Sequence, residues 1–190
     1  MHDLEPATRA LAGLLSGIGD GQLGAATPCE AYTLGDLLDH VDGLALAFTW
    51  AAAKDERAFD GGAPEPDAGR LGDDWRTRIP ARLDTLAAAW REPAAWQGMT
   101  KAGGVDLPGD IAGRVALNEV VVHGWDIARS TGQSFDPGEE TIATSLAFLA
   151  AAAEESGESP FGPPVDVPED ATAFDRVIGL SGRSPAWPAH

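Results

Sequence analysis

The chain predicts an all-α fold: a bundle of helices followed by an extended C-terminal segment, with room for one short hairpin. Three observations carry this expectation. Apolar residues recur at helical spacing in five separate stretches, the breaks between them are rich in glycine, proline and aspartate, and from Gly157 the periodicity gives way to the proline-rich run "ESPFGPPVDVPED". A length of 190 residues fits about one domain, long enough to bury a core without disulfide or metal staples. The expected organisation is a single domain over 1–190, with the bundle over about 1–156 and the extended segment over 157–190.

Each element has its own reason. In "LEPATRALAGLLSGI", from Leu4 to Ile18, Leu11, Leu14, Leu15 and Ile18 fall on one stripe, and "GDGQLG" stops the helix. A second helix runs from about Leu34 to Ala53, introduced by Thr33 and Asp36 in a capping arrangement weaker than the Glu or Gln form. "AFDGGAPEPDAGRLGDD", residues 58–74, reads as an exposed loop whose length signals mobility or function. The third helix covers Asp74 to Glu92, with Pro80 either kinking it or marking its first turn. "TKAGGV" is suited to a short hairpin. The fourth helix spans about Asp110 to Thr131 and is closed by Gly132; the fifth, "EETIATSLAFLAAAAEES", follows the Pro137-Gly138 turn. One short helical piece is expected within the tail, near Ala173 to Leu180.

Thirty acidic against thirteen basic residues give a formal charge of -17, which repels phosphate backbones and anionic lipid surfaces and so disfavours nucleic acid and membranes as partners. There is no apolar run of about 20 residues. The N-terminus "MHDLEPATRA" lacks the basic start and apolar centre of a signal peptide, so a cytoplasmic location is expected. Cys29, the single cysteine, cannot form an internal disulfide and is expected to be a buried structural thiol rather than a reactive one. Of four histidines, His2 and His190 sit at termini expected to be mobile, leaving His40 and His123 for a folded interior.

The fourth helix contains "ALNEVVVHGWDIARSTG", an amphipathic pattern whose apolar run carries Glu119 and, four residues on, His123. At 100° per residue the two differ by about 40° and project from one face on adjacent turns. Val115, Ala116, Val122, Asp126 and Ile127 share that face. One reading is an ordinary surface pair. The other takes in His40, flanked in the second helix by Leu37, Leu44 and Ala47: two imidazoles and a carboxylate match the protein ligands of a catalytic zinc site with an open fourth position. Gly43, Ala47 and Ala51 continue the His40 face and either leave room above a metal or let two helices pack closely. Asp126 is placed either to orient a ligand imidazole or to pair with Arg129 at the surface. Arg76, Arg78 and Arg82 are either substrate-carboxylate holders or solvated basic positions, and Trp50 and Trp125 either wall a pocket or fill the core.

Three segments, "TPCEAYTLGDLLDHVDG", "NEVVVHGWDIARSTG" and "FGPPVDVPEDATAFDRVIGLSGRSPAW", resemble the landmarks of the actinobacterial metal-binding family related to the N-terminal domain of mycothiol-dependent maleylpyruvate isomerase, within the DinB-like superfamily. The resemblance implies a four-helix bundle holding a divalent ion, zinc or sometimes nickel, on His40, Glu119 and His123. It also implies mycothiol as cosubstrate and a small electrophilic substrate, hence a thiol transferase or isomerase-like enzyme, and it leaves room for a homodimer. The isomerase has a second, C-terminal domain that contributes to its active site, so related chemistry is expected here rather than maleylpyruvate isomerisation itself. Two alternatives stand beside this: a hydrolase working through metal-bound water, and a non-catalytic bundle with a structural or sensory metal. An excess of eleven arginines over two lysines, with abundant alanine and glycine, fits a GC-rich actinobacterial genome.

Overall fold

In the computed structural model, which describes residues 1–59, 65–156 and 161–188, the helices are α1 (Glu5–Leu15), α2 (Leu34–Ala53), α3 (Trp75–Trp90), α4 (Gly109–Thr131), α5 (Glu139–Ser156) and α6 (Ala173–Leu180). A hairpin of β1 (Met99–Ala102) and β2 (Val105–Pro108) precedes α4. His190 and the middle of the 58–74 loop lie outside the described residues. The fold is therefore all-α with a short hairpin. α1 and α2 each pack against both α3 and α4, so these four helices form the bundle, and α5 packs outside it on α4 and α6.

The bundle closes over a continuous apolar core drawn from every one of its helices, including Leu11 and Leu15 of α1, Leu37 of α2, Leu83 of α3 and Val121 of α4, all essentially inaccessible to water. Each such side chain contributes about 1.5–3 kcal/mol of burial. Pro80 lies inside α3 and not in its first turn. The chain passes through it, and the missing N–H costs the helix one bond to the Arg76 carbonyl.

α4 is not the two-faced helix its pattern suggests. From Val120 to Ala128 every residue is buried, polar ones included. Bundle helices cover one side, while α5 and the C-terminal segment cover the other. Its polar residues are therefore interior groups that need partners, and Gly124 is one consequence of the crowding: a Cβ there would stand 2.4 Å from Phe135 Cζ.

The smaller elements are tied to α2. Gly103 and Gly104 take positive φ in the two-residue hairpin turn, with Ala102 opposite Val105, as a type I′ connection requires. Buried Thr100 donates its hydroxyl to the Ala51 carbonyl at 2.7 Å and anchors the hairpin. The described end of the 58–74 loop is held as well: Asp36 Oδ1 accepts the Ala68 N–H at 2.8 Å, and Asp39 accepts from both the Asp67 N–H and the Arg70 guanidinium. His2 is also held, contrary to expectation. Its ring packs edge-on against Trp96 at 5.6 Å and approaches the Thr144 hydroxyl, in a concavity of about 430 Å³ with Arg114, Glu140 and Phe148.

Candidate metal centre

The placement of His40 begins with the cap of α2. Thr33 Oγ1 accepts the Asp36 N–H, and Asp36 Oδ2 accepts the Thr33 N–H in return, the reciprocal box read from the sequence. The chain enters this cap through a tight loop. Leu34 and Gly35 donate back to the Ala25 and Leu23 carbonyls, and the Thr27 hydroxyl lies 2.9 Å from the carbonyls of both Cys29 and Tyr32. With the helix phase fixed, His40 faces α4, and the Tyr32 ring sits 5.6 Å from the His40 ring.

On α4, Glu119 and His123 point toward His40 from successive turns. One potential ligand atom from each of the three residues lies within 4.8 Å of the others. Glu119 Oε2 is 3.1 Å from His123 Nε2 and 3.6 Å from His40 Nε2, while the two imidazoles meet at right angles with centroids 4.9 Å apart. Glu119 Oε2 is nevertheless buried without an aligned hydrogen bond. Two imidazole nitrogens and a carboxylate oxygen thus converge on one buried spot, an arrangement expensive to keep dry unless a cation, a metal ion or a proton on an imidazole, occupies it.

The electrostatics agree. Burial pushes the Glu119 carboxyl up, but the His123 and His40 imidazoles more than offset this and lower it to about 2. Burial likewise pulls His123 down, and Asp126 and Glu119 overcome it, raising His123 to about 9. The cluster therefore holds positive charge strongly, supplied by a proton on His123 in the metal-free state.

Asp126 supports the ring from behind. Its Oδ2 lies 3.0 Å from His123 Nδ1, and its carboxylate is fully buried. The surface pairing with Arg129 is not what forms: Arg129 donates to the Trp187 carbonyl and lies over the Trp125 ring. The partner of Asp126 is Arg183, with Nη2 at 3.2 Å from Oδ2 and Nε at 3.4 Å from Oδ1. Arg183 lies within the tail segment "FGPPVDVPEDATAFDRVIGLSGRSPAW", and no spacing rule connects it to a carboxylate 57 residues away.

The arginines of α3 are committed elsewhere. Arg76 binds Asp20 and the Ile18 carbonyl, Arg78 binds Asp42 and Asp74, and Arg82 lies 2.9 Å from Asp42 Oδ1. Trp125 is buried, whereas Trp50 is part-exposed beneath Arg57. Cys29 is a free thiol of intermediate burial, and burial pushes its titration up, consistent with low reactivity.

Comparison with known proteins follows this geometry. The family model described as the mycothiol maleylpyruvate isomerase N-terminal domain matches residues 4–128, a span containing His40, Glu119, His123 and Asp126. In each of two strains of Mycobacterium tuberculosis, an uncharacterized protein is 30% identical over 190 residues, covering 92% of both chains. The crystal structure of the mycothiol-dependent maleylpyruvate isomerase aligns with a TM-score of 0.55 at 21% identity, covering 77% of this chain and 68% of that one. A mutant of that enzyme aligns at 0.59 and 20% identity, covering 82% and 72%. At these identities the structural likeness establishes the fold.

Proposed function

Because the chain belongs to the mycothiol maleylpyruvate isomerase N-terminal domain family, we propose that it is a thiol-dependent enzyme of isomerase or transferase type whose His40, Glu119 and His123 hold a divalent metal ion, zinc by the donor set. The observation that carries this reading is the buried Glu119 Oε2, left without a hydrogen bond between two imidazole nitrogens. A bound divalent ion supplies the positive charge that holds a thiol as its thiolate at neutral pH.

The chain's own groups do the rest. Glu119 and the two histidines, on facing helices of a rigid bundle, set the position of the site; Asp126 fixes the His123 ring so that Nε2 faces inward. His40, Glu119 and His123 would supply the protein ligands found among the described residues, and an ion held by three protein groups would leave room for an external ligand. The family supports a low-molecular-weight thiol, mycothiol, as that ligand, and the ion would supply the charge that readies the thiol for addition to a small electrophile in a transferase or isomerase reaction. A cytoplasmic setting, where such thiols are kept reduced, belongs to the same reading.

The test is elemental analysis of untagged protein followed by calorimetric titration with mycothiol. Close to one divalent ion per chain is expected in wild type and little in H123A, with thiol binding only in the loaded protein. Wild type without metal under metal-replete conditions would remove the reading, and loaded protein that binds no thiol but hydrolyses esters or amides would replace it with a metal-bound water.

A further inference from the structure

We propose that Arg183 is a positioning residue of this centre: reaching in from the C-terminal segment, it grips Asp126 and thereby fixes the His123 imidazole toward Glu119 and His40. The inference rests on reading the cluster as a metal centre, and it assigns a role to a residue outside the span matched by the family model.

Arg183 is 6% exposed, and its donors divide into two sets. Nη1 donates to the Phe161 carbonyl at 2.9 Å and the Ser181 carbonyl at 2.7 Å, which shapes the segment that carries it. Nε and Nη2 face the two oxygens of Asp126. Backbone carbonyls alone would not require a full charge in the interior. A planar guanidinium buried against a carboxylate is the arrangement that makes use of one.

Asp126 in turn needs a cation. With no exposed surface, its carboxylate has His123 Nδ1 as its other side-chain neighbour, so without Arg183 it would be a poorly compensated buried charge, driven to swing away toward other donors or water. That movement releases the ring. An imidazole free to rotate no longer holds Nε2 at 3.1 Å from Glu119 Oε2.

The charges add a second consequence. Glu119 and Asp126 carry two negative charges and Arg183 one positive, so a divalent ion leaves one positive charge over. That surplus favours an anionic fourth ligand, such as a thiolate, over a neutral one.

The experiment uses the full chain and its R183K, R183M and D126N variants. Zinc affinity is measured by competition with a chromophoric chelator, and folding is checked by circular dichroism. R183M and D126N are each expected to bind zinc about 10- to 100-fold more weakly, the usual effect of removing a group that orients a ligand. R183K should fall between them and wild type, the double variant should be no weaker than the worse single one, and guanidinium ion should restore part of the affinity of R183M. Wild-type affinity in both Arg183 variants, or additive losses in the double variant, would overturn the proposal; should R183M fail to fold, R183K decides. A metal-free readout separates this from failure of the metal reading itself. The His123 Nδ1–H proton resonance should be slowly exchanging in wild type and lost in R183M, and its persistence there would refute the positioning role even if wild type bound no zinc.

Discussion

The metal-free protein should lose stability as pH rises from 6.5 to 9, because His123 is protonated in the folded state far above its ordinary range. Burial alone would lower His123, but Asp126 and Glu119 raise it from 6.5 to about 9. A raised folded value means that the stabilisation is complete below 6.5 and vanishes as pH passes 9. The difference of about 2.5 units, at 1.36 kcal/mol each, is about 3 kcal/mol. Solvent screening takes little from this, as the side chain is 5% exposed. Glu119 shares the same attraction, so its lowering to about 2 is not an additional sum; its effect appears on the acid side, present above 4.5 and lost as pH falls through 2. In a chain of this size, 3 kcal/mol corresponds to roughly 6–12 °C in Tm. The assay is thermal unfolding by circular dichroism of chelator-treated protein between pH 6 and 9.5, with H123Q as the reference that removes the titrating imidazole. A wild-type minus H123Q difference that stays flat, or grows with pH, would refute the reasoning.

Other perturbations test the scaffold. T33A removes the side-chain acceptor of the α2 cap and should cost about 1 kcal/mol, or 2–4 °C in Tm by calorimetry. Two glycine replacements should act with opposite signs. G13A meets no neighbour within 4 Å on an exposed helix position and should stabilise by up to about 1 kcal/mol, while G124A drives a methyl into Phe135 and should destabilise by about 1–3 kcal/mol in denaturant titrations. R82A breaks a part-exposed pair whose carboxylate keeps Arg78, so a loss below about 1 kcal/mol is expected, with metal content and KM unchanged. A raised KM at unchanged Tm would instead place Arg82 on substrate.

The sequence revealed what is periodic or local. Helix phase, the Thr33 and Asp36 cap, the Gly132 stop and the Gly103-Gly104 turn follow from spacing or from the conformational demands of single residues, and the structure has each. Glu119 and His123 share a face for the same reason, and His40 was found because few histidines were available to join them. Contacts between distant segments were not legible. Nothing local says that α5 and the tail cover α4, so a helix buried all round from Val120 to Ala128 reads as two-faced, and a surface pair with Arg129 stands beside the imidazole-orienting reading of Asp126. The pairing of Asp126 with Arg183 depends on that same covering, as does the packing of His2 against Trp96. A long-range pair of opposite charges carries no period, and neither does an aromatic contact made by a terminus.

The centre draws on residues from position 40 to position 183, and this spread sets an order during synthesis. His40, Glu119, His123 and Asp126 all leave the ribosome before the residue that compensates Asp126. A nascent chain or fragment that ends before Arg183 therefore carries Asp126 without the cation that faces it. Asp126 thus gains its charge partner only once the segment carrying Arg183 has been made and has packed against α4.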